Sequence, residues 1–278
     1  VSRLGTDAIA AIGVSEILMF ITFTIGSGFG IGTGIVVARR IGEGNRKEAD
    51  STATQAVIVM FLFATTLAII LSFLIEPALN LMQFTGKPGD LAEIYLKAYL
   101  LGLPGTFLIF QINAIVRSSG NSVFPMIILI TTSVLNAGIS PLLVFGIGPF
   151  PRLEIQGAGI ATALSNMVGA IISLYAIKRN YTPVNFAFKG FRFNPEIIFR
   201  IIRIGFPASL QLLTVSLNRV ALITIAKTFG TTVVAAYTLC LKLDLFVFML
   251  IFASGAAVEI TTGQNLGAKN LERVFAYY

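Results

Sequence analysis

The chain has no histidine, no tryptophan and one cysteine, and its charged residues make up only 12% of the total. Without histidine there are no His-ligated metals or haem, no imidazole proton relay and no Ser–His–Asp catalysis. Cys240 alone cannot form an internal disulfide, and its apolar surroundings predict an inert, buried thiol. Any proton chemistry falls to carboxylates, and no paired carboxylates or metal-ligand cluster are spaced for catalysis. An enzyme is therefore not expected, nor is a cofactor or a metal centre. A charged fraction this low is about half that of a soluble domain.

Apolar residues account for 55% of the chain, and its mean hydropathy is +0.86. A bilayer core about 30 Å thick is crossed by about 20 apolar residues at 1.5 Å rise each. Five stretches free of charge are of that order: Ile17–Ala38, Ser51–Ile75, Ala98–Val116, Ser118–Pro151 and Ile155–Ile177. Ile204–Thr228 and Thr232–Thr262 also qualify, although each contains charged residues. The expectation is an all-α, polytopic membrane helix bundle of about seven transmembrane helices.

A net charge of +7 invites a nucleic-acid reading, but the charges are sorted between alternating loops. One side holds thirteen Lys and Arg residues, among them Arg39, Arg40, Arg46, Arg117, Lys178, Lys189, Arg203 and Arg273. The other side holds five: Arg3, Lys87, Lys97, Arg152 and Lys227. This is the positive-inside pattern, so the first group is expected in the cytoplasm and no nucleic-acid partner is expected. The spans then read Ala8–Ala38 inward, Ser51–Ile75 outward, Leu91–Val116 inward, Pro125–Gly146 outward and Gly157–Ile177 inward. After a basic linker, Lys178–Pro195, Ile204–Thr228 runs outward and Thr232–Thr262 returns.

Residues 4–49 align without a gap on 229–274, at a constant offset of 225. Gly5 pairs with Gly230, Thr6 with Thr231, Leu18 with Leu243, Gly30 with Gly255, Gly42 with Gly267 and Asn45 with Asn270. A unit of this length holds six spans, an even number, so both copies enter the membrane in the same sense. Parallel repeats of this kind belong to transporters. A span precedes the second copy and none precedes Leu4, so the chain is expected to be a fragment lacking its first helix.

Gly26, Gly28, Gly30, Gly32 and Gly34 supply overlapping small-xxx-small pairs, which let helices approach closely in lipid. Lying mid-span with no strand before them, they read as packing and not as a nucleotide loop. Thr132, Asn136 and Ser140 recur every four residues on one helix face, followed by Pro141, which frees the carbonyl of Ala137. Thr162, Ser165 and Asn166 form a comparable face on the next span, and Gln211, Thr214 and Asn218 another. Such polar stripes serve either as cation or substrate sites or as interhelical hydrogen bonds.

The charges inside spans are Glu16, Arg219, Lys242, Asp244 and Glu259. Each is costly at a helix centre and is expected to face the bundle or a cavity, and Arg219 with Asp244 is a possible cross-helix pair. Glu259 is close to the cytoplasmic end and is expected to be solvated. Bends are expected at Leu101-Gly102-Leu103-Pro104-Gly105 and at Gly205-Phe206-Pro207.

Several of these motifs resemble the multidrug and toxic compound extrusion (MATE) family of cation-coupled antiporters. They are Val37-Ala38-Arg39-Arg40-Ile41-Gly42-Glu43-Gly44-Asn45, Leu135-Asn136 with Pro141-Leu142-Leu143-Val144-Phe145-Gly146, Gly157-Ala158-Gly159-Ile160-Ala161-Thr162, Ile204-Gly205-Phe206-Pro207, and Gly263-Gln264-Asn265-Leu266-Gly267-Ala268. The resemblance implies twelve helices in two six-helix lobes, exporting cationic or amphipathic drugs against inward Na⁺ or H⁺. This chain would supply family helices two to eight: a first lobe without its first helix (1–177), a basic linker (178–196) and the start of the second lobe (197–278). Asn136 and Thr162 match the family's first-lobe site. Ser140 stands where many prokaryotic members carry an aspartate, and Leu213-Thr214-Val215-Ser216 lacks the seventh-helix glutamate of some members.

The expected function is a secondary antiporter working by alternating access, in the plasma membrane of a prokaryote. Its candidate site residues are Asn136, Ser140, Thr162, Gln211, Asn218 and Asp244. The partners are a small amphipathic or cationic substrate and membrane lipids, with no obligate protein partner. A lipid-linked oligosaccharide flippase and a non-transporting scaffold are the alternatives.

Overall fold

The structure is a computed structural model and describes residues 6–186, 192–227, 229 and 231–276. Gly5, Gly230, Arg3 and Lys189 lie outside the described residues. Nine α-helices, and no strand, are found among those described. They are α1 Thr6–Gly42, α2 Arg46–Leu81, α3 Lys87–Leu101, α4 Leu103–Ser118, α5 Val123–Phe145, α6 Glu154–Lys178, α7 Pro195–Lys227, α8 Thr231–Gly267 and α9 Leu271–Ala276. Six are long and apolar enough to cross a membrane, and α3 with α4 make a seventh span bent by 50°. The protein is a multi-pass membrane helix bundle.

The bend falls at Gly102, with Pro104 in the first turn of α4. Proline has no N–H to continue the ladder, and the glycine leaves room for α6, because a methyl group there would overlap Ala163. Both features were readable in the Gly-Leu-Pro-Gly run. The start of α7 was not, since it begins nine residues before the apolar stretch at Ile204. Asn194 Oδ1 caps it by accepting from Glu196 N at 3.0 Å, and Pro195 opens it. Its first turns are amphipathic, with Ile197, Ile198 and Ile201 buried against Val36 and Ala56 while Arg200 and Arg203 stay exposed.

Helices α1 to α6 pack together, and α7 and α8 lie against α1. One core gathers Met60, Tyr95, Tyr99, Leu103 and Phe107, and a second gathers Val37, Val57, Ile112, Ile115, Ile128 and Ile177. Around them Phe73, Val134 and Ile171 point outward, 76%, 66% and 61% exposed, as residues in contact with lipid tails do. The glycine series on α1 serves two neighbours. Gly26 and Gly30 face the rings of Phe107 and Phe110 on α4, whereas Gly28 and Gly32 meet the α7 backbone at Gly205 and Ile201. A side chain at Gly28 would overlap Gly205 O, so the two backbones come as close as they do because both residues are glycine.

The 225-residue offset reappears in the helix ends. Thr6 and Thr231 open α1 and α8, Gly42 and Gly267 close them, and Arg46 and Leu271 open the helices that follow. The intervening turns share their principal backbone bonds. Glu43 N to Arg39 O (2.9 Å) corresponds to Ala268 N to Gln264 O (3.0 Å), and Asn45 N to Arg40 O (3.0 Å) to Asn270 N to Asn265 O (2.9 Å). Each asparagine then caps its helix, Asn45 Oδ1 accepting from Glu48 N and Asn270 Oδ1 from Arg273 N, both at 3.2 Å. At this arginine-rich end α1 and α8 cross. Gly42 sits on the backbone of Gln264, and Gly267 on that of Arg39. Because 39 and 42 map onto 264 and 267 under the offset, the contact is reciprocal, as a two-fold relation between the copies requires.

Candidate functional site

Asn136 lies midway along α5, which carries no charged residue. With little water available, its amide seeks a protein partner, and Nδ2 donates to Thr162 Oγ1 on α6 at 3.1 Å. Thr162 donates in turn to Ala158 O, also at 3.1 Å. Asn136 Oδ1 makes no hydrogen bond among the described residues, which leaves it free to accept a cation or a donor. Ser140, one turn further along α5, is half-buried and precedes Pro141, whose missing N–H deprives Ala137 O of its helical partner. These oxygens form a neutral, acceptor-rich patch with no carboxylate in it.

One turn beyond Thr162, Asn166 Nδ2 donates to Thr106 Oγ1 on α4 at 2.8 Å. Side chains therefore bond α6 to α5 and to α4. Small residues bring the backbones together here, for a methyl at Gly157 would overlap α5 at Leu143 and one at Gly169 would overlap Thr132. The buried hydroxyl of Ser165 has no partner among the described residues.

Gln111 and Asn113 on α4, 0% and 6% exposed, were missed by the sequence reading. Both amide atoms of Gln111 and Oδ1 of Asn113 lack protein partners among the described residues. An unpaired buried amide is costly in an apolar interior, so such groups accompany internal water. The available signal was two amides within the otherwise apolar stretch Ala98–Val116.

The other candidates lie elsewhere. Gln211 and Asn218 are exposed on α7, which packs on α1, whereas Asn136 and Thr162 belong to the α5–α6 interface. Glu16 and Asp244 are exposed as well, and not packed within the described bundle as expected. Cys240 is likewise exposed, contrary to the buried thiol expected, because α8 packs mainly on α1 among the described helices. The side chains of Arg219 and Lys242, and with them any Arg219–Asp244 pair, lie outside the described residues.

At the basic end the turn after α1 is tied by charges. Arg40 bridges Glu43 at 2.7 Å and Glu48 at 2.9 Å, and Arg39 reaches Glu43 at 3.1 Å. The hydrogen bond from Arg40, assisted by the charges of Arg40 and Arg39, holds the Glu43 carboxyl below its ordinary range despite slight desolvation.

The MatE family model matches residues 1–142 and 207–278. The chain is 27% identical over 277 residues to a probable multidrug resistance protein, YoeA, of Bacillus subtilis, covering 98% of this chain and 59% of that one. It is 30% identical to an FAD transporter of Shewanella oneidensis, over 98% of this chain and 60% of that one. Among solved structures, an outward-facing multidrug resistance MATE family transporter of the MOP superfamily superposes with a TM-score of 0.92 at 27% identity. That match covers all of this chain and 61% of the other. A MOP-superfamily transporter from Pyrococcus furiosus gives the same score and coverage. The chain thus spans about 60% of the length of the relatives it matches. The family match covers the larger part of the sequence and takes in both copies of the repeated segment: the chain belongs to the MatE family.

Proposed function

We propose that the protein is a secondary antiporter that exports cationic or amphipathic small molecules by alternating access, driven by inward H⁺ or Na⁺, in the plasma membrane of a prokaryote. The observation carrying this reading is the reciprocal crossing of α1 and α8 at their basic ends. Two equivalent segments that touch at one end can part or close at the other while each stays internally packed. Relatives named as multidrug resistance proteins support the cargo class. On this reading residues 1–177 belong to a first lobe, 178–196 to the linker and 197–278 to the start of a second, and the basic end faces the cytoplasm.

Asn136, Ser140 and Thr162 are the proposed cation-responsive group, and Gln211, Asn218 and Asp244 the polar lining contributed by the second lobe. With no carboxylate beside Asn136, the first group would bind through neutral oxygens and be tuned by the Asn136–Thr162 bond. The test is efflux by the complete gene product, in cells lacking their own pumps and in liposomes carrying an H⁺ or a Na⁺ gradient. An amphipathic cationic dye is expected to leave against its gradient only when an ion gradient is imposed. Because one relative is named an FAD transporter, the same vesicles are offered FAD. Dye accumulation unchanged by correctly inserted protein, under either gradient, contradicts the reading.

A further inference from the structure

The crossing of α1 and α8 is two-fold symmetric in its backbone and asymmetric in its side chains. Gln264 of α8 donates from Nε2 to the carbonyl of Ser118, at the end of α4, at 2.8 Å. Its counterpart under the repeat, Arg39, instead pairs with Glu43 of its own turn. Nearby, Glu259 of α8 and Arg117 of α4 both line a cavity of about 100 Å³ whose walls include Gly30, Gly34, Phe110 and Phe252. The counterpart of Glu259 is Gly34, so only one copy carries a charge at this level.

Arg117 is the basic residue that ends α4, and it forms no ion pair within α1–α6 among the described residues. Glu259 is the opposite charge that lines this cavity with it, beyond ion-pair distance. Arg39 and Arg40 are already engaged by Glu43 and Glu48. Glu259 and Gln264 of α8 thus approach two consecutive α4 residues, the first across the shared cavity and the second through a hydrogen bond. Glu259 is exposed, as expected, and it also lines this cavity between the bundles.

We propose that Glu259 and Gln264 of α8, engaging Arg117 and Ser118 of α4, form a latch that sets how stably the basic end of the transporter stays closed. The symmetric glycine contacts allow the helices to meet, and the one-sided polar contacts determine how tightly they hold. This rests on the alternating-access reading, and it makes these four positioning residues remote from the Asn136–Thr162 group. Opening that end must break the bond to Ser118 O and draw the carboxylate from the guanidinium. Both charges then gain water, so the cost is modest and the latch is releasable.

The test uses the complete gene product in liposomes, with Cys240 replaced by alanine and spin labels on cysteines at positions 47, at the start of α2, and 269, in the turn after α8, both exposed at the basic end. Glu259→Gln and Arg117→Gln are each expected to raise the open-to-closed ratio at this end about two- to fivefold, the worth of a solvent-accessible ion pair. Gln264→Ala shifts it in the same direction. Exchanging the charges, Arg117→Glu with Glu259→Arg, restores the original distribution, which a purely structural role would not do. Single variants that leave the distances unchanged, or an exchange that behaves as the sum of two losses, overturn the latch. Dye efflux is measured on the same samples: transport with insensitive distances refutes the latch alone, whereas shifted and restored distances without transport uphold the latch and refute the antiporter reading.

Discussion

Helices α1 and α8 have the same length, the same threonine start, the same glycine end and the same asparagine-capped turn, yet they differ in how they are covered. In α1, 61% of the apolar window is buried, against 6% in α8. Gly30 faces the ring of Phe110, while its counterpart Gly255 has nothing within reach of an added methyl. The difference shows what a repeat encodes. Helix ends and turns follow from residues inside the segment, but burial follows from the neighbours, and among the described helices α1 is packed against more of them than α8 is.

The comparison is broken most forcefully at the glycines. Gly28→Ala would drive a methyl into the α7 backbone at Gly205 and is expected to cost about 3 kcal/mol, read as a lower unfolding temperature in detergent. Gly255→Ala, in open space on a helix, is expected to be neutral or to stabilise by up to about 1 kcal/mol. Equal losses at the two positions would mean that α8 is as tightly packed as α1.

A second contrast lies in the turns. Gly44 has φ +71° and its counterpart Lys269 φ +58°, a conformation that favours glycine. Gly44→Ala should destabilise the first turn by about 1 kcal/mol, and Lys269→Gly should stabilise the second by a similar amount. Changes of the same sign at both positions would remove the equivalence of the turns.

A third concerns the polar stripes. Asn136→Ala removes an interhelical hydrogen bond worth about 0.6 kcal/mol, with Thr162→Val closing a double-mutant cycle. Asn218→Ala, on the exposed stripe of α7, should leave stability unchanged. Both should lower ion-driven efflux if the stripes act as proposed. Zero coupling between Asn136 and Thr162 would dissolve the first group.

The smallest effect is expected at Glu43, braced by Arg40 and Arg39 where the second copy has Ala268. A carboxyl held below its ordinary range adds stability above that range and loses it as pH falls through the lowered value. The protection factor of the Gly44 amide, its exchange rate relative to the unstructured rate at the same pH, should therefore fall on acidification in the wild type and hardly change in Glu43→Gln, with the turn at Lys269 as internal control.

What the sequence disclosed and what it hid follow the same physical division. The bend at Gly102, the turns at Gly42–Asn45 and Gly267–Asn270, and the use of the α1 glycines for close packing depend on residues whose backbone chemistry acts locally, and all were readable, whereas the division of those glycines between α4 and α7 was not. The start of α7 was obscured because Glu196, Arg200 and Arg203 lower the average of an amphipathic turn whose isoleucines are buried. Gln111 and Asn113 vanished into an apolar average, and Cys240 was misjudged because exposure depends on which helices stand beside α8. The Asn136–Thr162 bond lay between the readable and the hidden: each residue stood out as polar, but only the packing of α5 on α6 joined them.

The central claim is that two equivalent helical units rock against each other, making the contact at their basic ends in one state and breaking it in the other. Labels at the outer ends of α1 and α8, paired in separate samples with labels at positions 47 and 269, test it directly in the complete gene product. Switching the ion gradient or adding cationic dye is predicted to lengthen the distance at one end as it shortens at the other. Distances that stay fixed at both ends, or lengthen and shorten together, would contradict it.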